Sequence, residues 1–507
     1  MSRLLNTIGS FFPILQKDFK IYDGEIFSEV YDGDFYKNIP FENYINFNSS
    51  VTAENAYYIR DFGAIADNSS VNNAAAINSA IKVCSENGGG IVVVDGGSYT
   101  SGTVFLQSNV LLYIAKESAI TASHNIGDFR RNSPTLSKHV DFITNGLIYA
   151  ENCENIAITG PGKICGEGNY FSLAPALPPK TEPFKKALDV WDMRQEYRKR
   201  IRFAHKNKYG FLVHLRNCRQ VRLHNLILEN SSSWTLNLNN CNGVQVTNTV
   251  INNNRHIANT DGIDISGSSN VTIKKCFVST ADDGIVLKNS LDTGCDKAMS
   301  NIYITDCEVI SCTNAFKIGT ETSLDISDVT VENCKFYLND IFPGGVSAIA
   351  IESSDGASVK NISVSDIFID SVACPLFIRL NNRNRDNRPE FDRKGMITGV
   401  KVKNISAKNA EIPTMIMGIP TQKINGVELA DFSIEYAKGR DYYDYRLKIP
   451  EQEKEYPECN RFRNINAYGI FVRHAENISL ENFNVTPRER TRRKFKIIID
   501  CENFNIK

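Results

Sequence analysis

An excess of charge of either sign is missing from this 507-residue chain: 57 Lys and Arg stand against 58 Asp and Glu, a formal charge of −1. A nucleic-acid partner usually shows as a basic excess, so none is expected. Paired cysteines are missing as well. The 13 cysteines are odd in number and include no Cys-x-x-Cys. Neither a disulfide framework nor a zinc knuckle is indicated, and a reducing compartment is the simpler reading. No window approaches the roughly eighteen apolar residues that a membrane-spanning helix needs, so no membrane span is expected. The apolar run near the start, Ile8 to Leu15, contains Pro13, follows a single Arg and leads to no Ala-x-Ala-like cleavage site. No signal peptide is read there, and a cytoplasmic location is expected.

What is present is enough apolar material for a large core, 42% hydrophobic and 10% aromatic. Residues 1–55 are rich in Tyr, Phe, Asp and Asn without a clear period and read as an N-terminal extension packing on the main body, residues 56–507. That body opens with Ile59 to Ala64, then with Ala76, Ile77, Ala80, Ile81 and Cys84 at helical spacing between Asn73 and Cys84. Gly88-Gly89-Gly90 closes this helix. Strands are expected at Ile91 to Val94, Val104 to Leu106 and Val110 to Ile114.

From about residue 150 one phrase recurs: an Asn or Gly, then Val/Ile-x-Val/Ile/Leu, a polar turn pair and an apolar alternation. It starts from Val221, Val244, Val271, Ile302, Val329, Ile362, Val400, Val427 and Ile478. The spacing is irregular, with the slack in loops, which suits a parallel β-helix better than a propeller. Stacked coils require the fifth residue after each anchor to form one buried column: Leu226, Thr249, Cys276, Cys307, Cys334, Ile367, Ile405, Phe432 and Phe483. Eight of the nine suit a core, and the residues two further on, from Leu228 to Val485, are all apolar. Cys276, Cys307 and Cys334 are then small interior hydrophobes. A helical insert is expected at about 175–208, and a further insertion at 441–458 carries Tyr442, Tyr443 and Tyr445.

A second strand aligns as Asp261-Gly-Ile-Asp-Ile, Asp283-Gly-Ile-Val-Leu, Asn314-Ala-Phe-Lys-Ile and Ser347-Ala-Ile-Ala-Ile. With period two the Ile and Leu positions face inward and the residues between them face solvent. Asp261, Asp283 and Asn314 form one outward ladder, with Asp282 beside it. Asp264 and Lys317 fall in the next column, followed by Lys288, Glu352 and Arg379. Three convergent carboxylates suggest acid/base chemistry, and crowding raises at least one pKa. Asp264 reads as a solvated strand residue outside that set.

From Ile59 to Val485 the chain resembles glycoside hydrolase family 28, the polygalacturonase and rhamnogalacturonan hydrolase family. The resemblance lies in Asp61-Phe62-Gly63-Ala64 and in Asn259-Thr260-Asp261-Gly262 followed at the family's spacing by Asp282-Asp283. It implies a right-handed parallel β-helix and an inverting glycosidase with Asp282 as general acid and Asp261 and Asp283 activating water. An inverting pair usually stands roughly 6.5 to 9.5 Å apart. Asn259, Lys288, Asn314, Lys317, Glu352 and Arg379 would line the substrate groove, with no metal or cofactor. Where polygalacturonases carry Gly-His-Gly and Arg-Ile-Lys, this chain has Thr313-Asn314-Ala315 and Ala350-Ile351-Glu352. In Asn314 to Glu321, Phe377 to Arg383 and Tyr468 to His474 it resembles bacterial rhamnogalacturonan-directed members more closely. The expected partner is an α-linked, uronate-containing oligo- or polysaccharide, attacked from a chain end if long loops close one end of the groove. A non-hydrolytic glycan-binding β-helix and a lyase or epimerase remain as alternatives.

Overall fold

The computed structural model describes residues 55–130, 146–171, 209–255, 257–338, 345–383, 393–437, 448–462 and 465–507. All but Asn55 of the N-terminal extension, the helical insert and Tyr442, Tyr443 and Tyr445 lie outside these residues.

The chain winds as a right-handed parallel β-helix in which each strand pairs with its counterpart in the next coil. The nine anchors are successive register partners, from Val221 opposite Val244 through to Val427 opposite Ile478. The second column also holds: Val278, Val309, Phe336, Ile369, Ala407, Ile434 and Val485 follow one another in register. All nine residues of the first column are buried, including Thr249 and the three stacked cysteines. The 13 cysteines are free thiols, and all but Cys312 and Cys501 are buried.

The polar residues of the repeat have a backbone reason. The residue before each anchor (Gln220, Gly243, Asn270, Asn301, Asp328, Asn361, Gly399, Gly426 and Asn477) has a positive φ. So does the residue four after it, from Asn225 through Asn333 to Asn482. Corners of this kind need the left-handed region, which Gly, Asn and Asp adopt at least cost. Their side chains then link coil to coil: Asn301 Nδ2 donates to Asn270 Oδ1 at 2.6 Å and Asn404 Nδ2 to Asp366 Oδ1 at 2.6 Å.

Helix α1 (Ala74–Glu86) closes the N-terminal end, burying Ile77, Ala80, Ile81 and Cys84 against the first coil. At the other end Lys494–Ile506 adds the last strand, beside Ala467–Pro487. The face that concerns function is a stack of strands: β1 (Leu236–Asn239), β2 (Ile263–Ser266), β3 (Ile285–Asn289), β4 (Asn314–Thr322), β5 (Gly345–Ser353), β6 (Val372–Leu380) and β7 (Thr414–Met417). Its inward residues join the main core.

Because the interior is a set of columns, a truncation in one coil leaves a cavity that its two fixed neighbours cannot close. Ile369→Ala, between Phe336 and Ala407, should cost about 2–5 kcal/mol. Guanidinium unfolding would show it as a lower midpoint; an unchanged midpoint would contradict the column packing.

Candidate active site

Two tight turns open β2 and β3, and each presents acid at the same height. Gly262 and Gly284 are required there: a Cβ at Gly262 would lie 2.5 Å from the Gly284 carbonyl oxygen, and one at Gly284 would lie 2.6 Å from that of Ala315. This close approach lets Gly262 N–H donate to Asp283 O at 2.9 Å and Gly284 N–H to Asn314 O at 2.8 Å. Asp261, Asp283 and Asn314 are thereby stacked on successive coils, as the alternation requires. Asp261, Asp282 and Asp283 each bring one carboxylate oxygen within 4.8 Å of the others'. Asp261 and Asp283 are buried, whereas Asp282 is partly exposed.

Two buried lysines hold the cluster. Lys288 Nζ lies 2.8 Å from Asp261 Oδ2 and 2.6 Å from Asp264 Oδ1, and sits 3.6 Å from the centroid of the Trp234 ring. Lys317 Nζ lies 3.2 Å from Asp283 Oδ2 and 3.9 Å from Glu352 Oε2. Asp283 Oδ1 also accepts from Thr313 Oγ1 and Asn314 Nδ2, both at 2.7 Å.

These contacts divide the carboxylates electrostatically. Burial pushes Asp261 well above the usual carboxylate range against the pull of Lys288, and repulsion from Asp264, Asp282 and Asp283 adds to the rise. Burial also raises Asp264, to about 7, although Lys288 offsets part of the effect. At Asp283 burial is outweighed by Lys317, Lys288 and the two hydrogen bonds, so this carboxyl is held below the usual range. Burial raises Glu352 to about 8. Five acids around two lysines cannot all ionise cheaply in a dry site. Burial thus weighs against ionising both Asp261 and Asp264 around their one lysine, while Lys317 and two hydrogen bonds favour the anion at Asp283.

The remaining expected site residues divide into two groups. Lys288, Asn314, Lys317 and Glu352 do adjoin the carboxylates. Asn259 lies in a left-handed turn just before Asp261 and is exposed. Arg379 is directed elsewhere: its guanidinium donates to the carbonyls of Gly418, Glu451 and Gln452 at 2.7 to 2.9 Å. Glu352 is its register partner, yet pairs with Lys317. The expectation that this outward column faces solvent is corrected, since Asp264, Lys317, Glu352 and Arg379 are all buried. Asp264 is therefore an ion-pair partner of Lys288, not a solvated strand residue. The carboxylate spacing is likewise shorter than the range quoted for inverting pairs.

Sequence reading missed Trp234 and Tyr456. Trp234 stands two residues before β1 and was findable as the aromatic entering the site strands. Tyr456 belongs to a distant segment, 448–462, that folds back over β5 to β7, and its hydroxyl lies 3.3 Å from Lys317 Nζ.

The family model of the glycosyl hydrolases family 28 matches residues 129–448. The chain belongs to this family. It is similar to a probable polygalacturonase of Vitis vinifera, 24% identical over 395 residues that cover 74% of each chain. An endo-polygalacturonase of Pectobacterium carotovorum is 27% identical over 60% of this chain and 71% of its own. Among solved structures, the family 28 exopolygalacturonase of Yersinia enterocolitica superposes with a TM-score of 0.67 at 17% identity, over 89% of this chain and 78% of that one. The exopolygalacturonase of Thermotoga maritima gives 0.60 at 22% identity, over 76% and 87%. These structures share the fold. Family 28 membership makes the chain a glycoside hydrolase, in agreement with its acidic cluster.

A carboxyl with a folded pKa above its unfolded value lends stability that is lost as pH rises between the two. For Asp264 that window runs from the ordinary range near 4 up to about 7. Urea midpoints of the wild type should fall across this window, and Asp264→Asn should flatten the slope. An unchanged slope in the variant would show that Asp264 holds no proton.

Proposed function

We propose that this polygalacturonase-like hydrolase of pectin cleaves α-linked, uronate-containing oligosaccharides of the rhamnogalacturonan or galacturonan type from a chain end, with inversion. In this reading Asp282 is the general acid, and Asp261 and Asp283 hold and deprotonate the attacking water. One observation carries it: three carboxylates converge within 4.8 Å and Asp282 alone among them is partly exposed. An acid that protonates a leaving oxygen must reach the substrate, whereas the groups that hold a water can lie deeper. A water donating two hydrogen bonds of ordinary length spans acceptors roughly 4.5 Å apart. Asp261 and Asp283 are close enough for that. Inversion is what the family resemblance implies; the short spacing alone would also fit a retaining pair, at about 5 to 5.5 Å. Product configuration decides between them.

Attack from a chain end is supported by how the outward column changes along the face. After Asp264, Val286 and Lys317 it continues as Ala350, Phe377, Met415 and Phe471. Phe377, Met415 and Phe471 are buried beneath Cys459, Phe462 and Ile465 in an apolar cluster. The groove floor therefore ends within two coils of the carboxylates. A short groove suits oligosaccharides, and a cytoplasmic enzyme acting on imported fragments belongs to the same reading; cell fractionation checks it.

The substitutions relative to polygalacturonases also guide the choice of substrate. Thr313 and Asn314 replace the first residues of Gly-His-Gly and both donate to Asp283. Glu352 replaces the lysine of Arg-Ile-Lys, and the nearby Lys317 is engaged by Asp283 at 3.2 Å. Binding of a galacturonate at the scissile bond thus loses its usual cations, which favours a rhamnogalacturonan fragment.

Asp282→Asn should lower kcat by about 10²- to 10⁴-fold. NMR of the products from defined rhamnogalacturonan and homogalacturonan oligosaccharides should show a terminal saturated sugar of inverted configuration. Equal activity in the variant would remove Asp282 from the acid role, and a retained anomer would overturn inversion.

A further inference from the structure

The segment 448–462 is fastened across the face by buried arginines of two coils. Arg379 holds the Glu451 and Gln452 carbonyls, and Arg473 donates to Ile449 O at 3.0 Å and Pro450 O at 2.9 Å. Asn381 Nδ2 adds a bond to Glu455 O at 2.9 Å, and Asn382 N–H one to Glu453 O at 2.9 Å. So many main-chain anchors make this segment a fixed wall. It carries Tyr456, 37% exposed and one of few exposed aromatics among the described residues. Its hydroxyl reaches Lys317, which in turn touches Asp283, so the ring begins one lysine away from the reacting carboxylates.

We propose that Tyr456 is the stacking platform of a terminal subsite that takes a neutral sugar ring and excludes a uronate. The proposal rests on the hydrolase reading above and names the occupant of one side of that site. An exposed aromatic held rigidly beside a reaction centre offers the apolar face of a pyranose a flat surface. The charge around it selects the sugar. Among the described residues, two cations near the ring already have carboxylates: Lys317 lies beside Asp283 and Glu352, and Arg383 pairs with Asp355 and Glu321. Arg461, 5.7 Å from the Tyr456 ring, lies 3.9 Å from Glu458. A uronate entering here would meet more negative charge than positive, whereas a neutral ring loses nothing.

Binding can be measured apart from turnover. In an Asp282→Asn background, calorimetric titration would compare a rhamnogalacturonan oligosaccharide with a neutral terminal sugar against a galacturonate oligomer of equal length. Adding Tyr456→Ala should weaken the first by about tenfold, the scale of one lost ring contact, and change the second by less than about threefold. Tyr456→Phe should bind as the parent does, and unaltered thermal unfolding of both variants would exclude a folding defect. Equal loss for both oligomers, a greater loss for the galacturonate, no loss, or no binding of either would each overturn the proposal. Loss of the acid role of Asp282 would appear instead as undiminished turnover in the single variant, and the binding comparison would then use thio-linked oligosaccharides that resist cleavage.

Discussion

In the described strands, backbone N–H and C=O groups pair with the strand of the coil above or below, and that constraint governs everything else. A parallel ladder has one register, and a slip of one residue would turn each buried column out to water. Positive-φ Asn, Asp and Gly corners bring each strand back to the same register in spite of loops of unequal length. Turns that lie far apart in sequence are thereby held one strand spacing apart. The acids of the site converge because Gly262 and Gly284 let two such turns approach more closely than any side chain would permit. The three carboxylates are thus placed by the same ladder that packs the core.

Gathering carboxylates in this way is costly, since each loses water and repels the others. Lys288 and Lys317 offset the cost, but each sits between two acids, so neither neutralises its surroundings. The asymmetry comes from the hydrogen bonds. Asp283 accepts from Thr313 and Asn314 in addition to its lysine, which fixes it as an anion. Asp261 and Asp264 share one lysine, and each keeps one buried oxygen without a protein donor. One firm anion, Asp283, therefore stands ready as the base, and the proposed acid, Asp282, is the carboxyl of the cluster that is partly exposed to a leaving group.

The columns of the β-helix were legible because stacking makes one chemical demand many times over. One ambiguous residue such as Thr249 does not hide a pattern that Leu226, Cys276 and Ile367 repeat. The Asp261, Asp282 and Asp283 set was legible for the same reason, aligned on matching Gly-Ile turns. What period two does not convey is whether an outward residue meets water. Asp264 and Arg379 were assigned to solvent by alternation, and both are buried, Arg379 under a segment whose Glu451 lies 72 residues further along the chain. Local pattern carries no information about such a cover. A signal was nonetheless present, since the outward column changes from Asp264 and Lys317 to Ala350, Phe377 and Met415, and an apolar outward column implies that something packs on it.

That change of character also separates two jobs that charged residues do on one face. Lys317 and Arg379 both stand on outward positions of the site sheet, and either could have served an anionic sugar. Lys317 stands over the carboxylates and is spent on Asp283 and Glu352; Arg379 stands two strands on and is spent on carbonyls of the covering segment. A guanidinium suits the second role, because its fork can satisfy several carbonyls at once while a lysine offers a single point of charge. With the wall fastened by arginine and the floor balanced by lysine, neither cation is left over for a substrate carboxylate. Selection at this end of the groove then falls to shape and to the exposed ring of Tyr456, not to charge pairing.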